Sequence, residues 1–168
     1  MRLTALTLIA LLTAVAAAEA RTYEVKRELR EEIRRVAPRT DVPIRLPARL
    51  NLGYDERVHG DGGGGRNRYD FELAAIEDCG GATACFLASF TGRQGGRPAF
   101  RRRVRLARGI TGYFKPLTCG ASCSPPMIEW RQRGFLYGIQ AKVVADEGAP
   151  ERRAMARAAN SAIRSRPR

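Results

Sequence analysis

Lysine is almost missing from this strongly basic chain. Lys and Arg together number 30, yet lysine stands only at Lys26, Lys115 and Lys142. Such an arginine excess, set among many alanines and glycines, is what the codon usage of a GC-rich genome produces. Negative charge is also short: 17 Asp plus Glu leave a net charge of +13. Histidine is scarcer still, with His59 alone. One histidine excludes a multi-histidine metal centre. No Ser or Cys nucleophile is recognisably poised beside it, so Ser/His or Cys/His catalysis has no support. Aromatic residues make up 7 % of the chain and do not interleave with the basic runs, which argues against a base-stacking nucleic-acid surface. Beyond Ala18 no apolar run approaches the roughly 20 residues a membrane helix needs.

The first twenty residues form a leader pattern. Arg2 gives a positive start, Leu3 to Ala18 is uncharged and apolar, and Ala18-Glu19-Ala20 offers small residues where a signal peptidase reads. Cleavage there would make Arg21 the first mature residue and place the domain in the periplasm or outside the cell. In that setting four cysteines read as two disulfides. Three connectivities are available. The local pairs, Cys79 with Cys85 and Cys119 with Cys123, close short glycine-containing loops and are the simplest choice. A four-cysteine zinc site fits poorly, because the first pair has five intervening residues where zinc knuckles have two to four. Cys119-Gly-Ala-Ser-Cys123 has three, one more than the thioredoxin-type redox motif. No catalytic residue, metal ligand or cofactor is assigned.

The organisation of the rest follows from periodicity. Arg21 to Val36 reads as a charged helix, with Leu29, Ile33 and Val36 on a thin stripe, lying loosely on the domain; residues 21–41 form this helix and a linker. Val42 to Leu50 carries two prolines and reads as an edge strand or a polyproline-like stretch. His59 to Arg66, with four consecutive glycines, reads as a flexible loop; no Lys-Ser/Thr follows to make it a phosphate cradle. Tyr69, Phe71, Leu73 and Ala75 alternate with Asp70 and Glu72, a half-buried strand. Phe86 to Phe90, Arg103 to Leu106 and Ile110 to Phe114 are further strands. Ile128 to Gln132 and Phe135 to Val144 form a hairpin about Arg133-Gly134, which sets Trp130 opposite Tyr137 and Ile128 opposite Ile139 on one face. Pro150 to Ile163 is a closing helix, and Arg164 to Arg168 a disordered basic tail. The carboxylate neighbours Glu77-Asp78 and Asp146-Glu147 read as solvated turn residues.

The candidate binding residues are arginines. In a strand, Arg101, Arg103 and Arg105 share one face, and Arg131 and Arg133 extend it if the hairpin lies alongside. Such a face draws anionic partners: an envelope polymer, a lipid surface or a protein.

Ile110-Thr-Gly-Tyr-Phe114, Cys119-Gly-Ala-Ser-Cys-Ser-Pro-Pro126, Ile128-Glu-Trp130, Gly134, Tyr137 and Ala159-Asn-Ser-Ala-Ile163 together resemble a family of uncharacterised exported bacterial proteins. Val42 to Pro47 and Asp78 to Cys85 belong to the same pattern. A weaker similarity is to a domain of unknown function found outside the membrane in some bacilli. The resemblance implies a bacterial source and an extracytoplasmic place. It carries no activity and no site residues.

The expectation is one α+β domain over residues 42–163. It comprises a single antiparallel sheet of about five to seven strands, the closing helix on one face, and the charged N-terminal helix. Its expected role is binding without catalysis; the competing expectations are an extracytoplasmic hydrolase, with carboxylates converging on Trp130 or Tyr137, and a structural or inhibitory module. The hairpin register predicts that Trp130→Ala costs about 3–5 kcal/mol in urea unfolding, and a loss below about 1 kcal/mol would put the ring at the surface.

Overall fold

The protein was analysed as a computed structural model, which describes residues 21–144 and 151–167. The expected leader, Asp146-Glu147, Pro150 and Arg168 lie outside the described residues. The fold is mostly strand, 40 % against 22 % helix.

The chain opens with a short strand, β1 (Thr22–Glu24), then α1 (Val25–Glu28) and α2 (Arg30–Val36). The extended segment after α2 enters β2 (Arg49–Asn51), which pairs antiparallel with β1. Next come β3 (His59–Gly65), β4 (Arg68–Ala74), β5 (Phe86–Gln94), β6 (Arg102–Arg105) and β7 (Thr111–Lys115). A small ribbon, β8 (Thr118–Cys119) with β9 (Cys123–Ser124), precedes β10 (Met127–Gln132), β11 (Phe135–Ala141) and the closing helix α3 (Glu151–Arg164). Seven strands make one antiparallel sheet in the order β3-β4-β5-β11-β10-β7-β6. The two ribbons stand apart from it, so the single sheet expected is in fact a main sheet with two satellites.

Period-two alternation gives the sheet an apolar face. Gly62, Phe71, Phe90, Ile139, Ile128 and Phe114 lie in one row across six strands. Trp130 and Tyr137 are paired in the next row with ring centroids 5.5 Å apart. The hairpin turn has Arg133 at φ 51° and Gly134 at φ 85°, the two left-handed residues that match the twist of the strands. Helix α3 packs on β10 and β11 through Ala154, Met155, Ala158, Ala159, Ala162 and Ile163, all buried. Its small alanines let the helix axis come close to the sheet.

Three expectations need correction. The N-terminal helix starts at Val25, and it is not loose: Val25, Leu29, Ile33 and Val36 are all buried. The glycine tract is not a flexible loop but β3, an edge strand in full register with β4. Glycine serves contact here rather than freedom. A Cβ on Gly62 would collide with the Phe71 ring, one on Gly64 would sit 2.6 Å from Val36 Cγ1, and one on Gly60 3.1 Å from Leu29 Cδ2. The helices therefore lie directly on a bare backbone. The basic tail is also tied down: Arg164 belongs to α3, Ser165 O accepts from Arg45, and Arg166 O accepts from Lys26 Nζ.

Gly62→Ala and Gly64→Ala should each lose about 1–3 kcal/mol by overpacking. Gly65, with nothing within 4 Å of an added Cβ, should accept Ala within about 0.5 kcal/mol. Urea unfolding of the three variants checks this; equal effects at all three sites would mean that α2 does not rest on β3.

Candidate functional site

The cysteines pair locally, Cys79 with Cys85 and Cys119 with Cys123. The first pair ties the connection between β4 and β5, the second closes the β8–β9 ribbon. Both are structural staples. Two-residue strands cannot hold a ribbon by themselves, and the covalent bond replaces the missing ladder.

The core face of the sheet is filled, and its chemistry is spent on structure. Arg45 sits in the extended segment between Ile44 and Leu46 and is 6 % exposed. Its Nη1 donates to the carbonyls of Ile163 at 3.2 Å, Ser165 at 3.3 Å and Ala162 at 3.5 Å. These groups end α3, where carbonyls lack helical partners and the dipole is negative. The guanidinium also lies 5.9 Å from the Tyr137 ring centre, a cation–π contact. The Tyr69 hydroxyl bridges the Arg45 backbone, accepting from its N–H at 3.1 Å and donating to its carbonyl at 3.4 Å.

Polar side chains elsewhere serve irregular backbone in the same way. Ser161 Oγ accepts from Ala48 N–H at 2.9 Å, and Asn160 Oδ1 from Ala107 N–H at 2.6 Å. Glu151 Oε2 accepts from Leu117 N–H at 3.1 Å, and Glu129 Oε2 from Ala99 N–H at 2.6 Å. The Ala-Asn-Ser stretch of α3 thus positions loops.

The opposite, outward face of the sheet carries the arginines. Arg103 and Arg105 stand exposed on β6, in register with Tyr113 and Thr111. The hairpin is not beside them, because β7 intervenes between β6 and β10. Arg131 is exposed on the same face, two positions beyond Glu129, which shares the row of Tyr113. Arg101 precedes the strand, and Arg133 is at the hairpin tip. The five candidates therefore do not form one stripe.

Two further arginines complete the face. Arg68 on β4 lies directly opposite Arg93 on β5; Arg93 pairs across Leu136 to Arg131. The alternation that turns Asp70 and Glu72 outward also turns Arg68 outward, so this residue was legible. Arg93 was hidden because its strand runs four residues past Phe90 through Thr91-Gly92. Its guanidinium lies against Gly96, whose missing Cβ (φ 81°) would sit 3.0 Å from Arg93 Nε. Among the described residues none of Arg68, Arg93, Arg131, Arg103 and Arg105 has a salt-bridge partner. The β5–β6 connection, running from one side of β11, β10 and β7 to the other, is held over this face where Ala99 meets Glu129. Beside it lies a groove of about 430 Å³ lined by Arg68, Asp70, Thr91, Arg93, Glu129 and Leu136 among others.

The other polar hollow, about 270 Å³, brings His59, Asp61, Glu72 and Glu77 together. Burial, followed by Asp61 and Asp70, pushes the Glu72 carboxyl above its ordinary range. Among the described residues no three His, Cys, Asp or Glu side chains are grouped to hold a metal ion. Glu77 and Asp78 are exposed, as a solvated turn requires.

Comparison with known proteins finds no matching family model, no matching curated protein and no matching solved structure.

Burial raises the Tyr69 phenol far above its ordinary value, and raises Tyr137 and Tyr23 as well. A raised phenol stays protonated in the folded state where the unfolded chain ionises. Its stabilisation is complete below the unfolded pKa of about 10 and is lost as pH rises above it. The urea midpoint should fall between about pH 9 and pH 11. Tyr69→Phe should be less stable at neutral pH but lose less over that window; an unchanged slope would show that another group drives the loss.

Proposed function

We propose that this chain is an exported, non-catalytic binding domain that takes an anionic partner on the outward face of its main sheet. One observation carries the reading. Arg68 and Arg93 lie directly opposite each other, and among the described residues neither has a salt-bridge partner. Like charges at such a position destabilise a sheet, and Gly96 leaves room for one of the two guanidinium groups to lie where it does. An anion in the groove would relieve that repulsion.

Export rests on the leader pattern of residues 1–20 and on the resemblance given above. Two disulfides are compatible with it, since such bonds persist in oxidising compartments. No described helix is long and apolar enough to cross a membrane. A hydrolase built on Trp130 or Tyr137 is disfavoured because both rings are buried on the core face, at 0 % and 1 % exposure, whereas Asp70 and Glu129, which line the groove with Tyr137, belong to the outward-facing row.

The test is salt dependence. Binding to double-stranded DNA, used as a generic polyanion, should weaken with salt, and each arginine removed should flatten the log–log slope by about 0.9. The Arg68→Ala/Arg93→Ala/Arg131→Ala variant should therefore lose close to three units while staying folded by circular dichroism. If variant and wild type give the same slope, this face is an ordinary solvated surface.

A further inference from the structure

The two edges of the main sheet are treated differently. At β3 the outward backbone groups of Gly62, at the middle of the strand, are occupied. Gly62 O accepts from Arg35 Nη2 at 3.0 Å, Gly62 N–H donates to Asp61 Oδ1 at 2.7 Å, and Arg66 O just beyond the strand accepts from Asp41 N–H at 2.8 Å. A strand added at that edge would have to displace Arg35 from Gly62. At β6 the edge is open. Leu106 N–H donates to Ile110 O, which continues the ladder to β7 through Leu106, Val104 and Arg102. Alternation then turns the amide and carbonyl of Arg103 and Arg105 away from β7. Among the described residues neither takes a partner on that side.

The side chains select what can pair there. Arg102, Arg103 and Arg105 are exposed and only Val104 is partly covered. A second copy of the chain pairing antiparallel through β6 would set Arg103 against Arg105 of its mate, and that repulsion blocks self-association. The same charges complement a strand that carries carboxylates at alternate positions. Resting on the binding role proposed above, we infer that β6 accepts an acidic, extended segment of a protein partner as an eighth strand. Backbone hydrogen bonds to Arg103 and Arg105 supply the pairing. Carboxylates opposite those two residues supply the selection. The segment is about four residues long, the length of β6.

The experiment is fluorescence anisotropy with the full mature chain at physiological salt. The probe is a fluorescein-labelled peptide alternating glutamate and valine. Two analogues are N-methylated, one on each alternate set of amides. In an added strand one set faces β6 and the other faces solvent. The peptide should bind, one analogue should lose affinity by about tenfold or more, and the other should bind like the parent. The Arg103→Glu/Arg105→Glu variant should release this peptide and bind an arginine–valine counterpart instead, with its circular dichroism unchanged. Equal binding of parent and both analogues would reduce the interaction to charge and overturn strand addition, while leaving the basic face intact. Failure of the peptide alongside retained DNA binding through Arg68, Arg93 and Arg131 would do the same. Failure of both probes would remove the binding role as well.

Discussion

A buried cation at the end of a helix is the constraint on which this structure depends. Among the described residues Arg45 has no salt-bridge partner; its Nη1 is met by three carbonyls of the α3 terminus and its guanidinium by the Tyr137 ring. Burying a guanidinium is costly unless its donors are engaged, and a helix C-terminus is one of the few neutral groups able to engage several at once. The contact joins parts of the chain more than a hundred residues apart. It fixes the Pro-bounded segment, the last turn of α3 and β11 as one unit. With Tyr69 closing over the Arg45 backbone, that face of the sheet is sealed.

The loops that surround the sealed face are fastened by single polar side chains: Ser161, Asn160 and Glu151 each accept one amide of an irregular segment. The half-buried Ala107 amide, satisfied in this way, avoids a desolvation cost of about 1–3 kcal/mol. Trp130, Tyr137, Asn160 and Ser161 are thus employed in building the domain.

The cations are unevenly served. Around the N-terminal helices, Arg27, Arg34, Arg35, Arg49 and Arg66 all have carboxylate partners. Those pairs are exposed and contribute little to stability. Among the described residues Arg68, Arg93, Arg131, Arg103 and Arg105 on the outward face have no salt-bridge partner.

The sequence by itself determined whatever depends on neighbours in the chain. The hairpin followed from two apolar alternations either side of Arg133-Gly134, the β4 strand from its period of two, α3 from its alanine stripe, and both disulfides from short loops. Each is set by residues a few positions apart, so the pattern contains the answer. Tertiary structure decided the rest. Four glycines look like slack until Phe71, Leu29 and Val36 are known to lie against them. The arginines of β6 and β10 look like one stripe until β7 takes the place between them. Arg45 looks like one more exposed basic residue until α3 ends above it. In every such case the deciding atom belongs to a distant segment, and composition and spacing cannot say which segment will come to rest there.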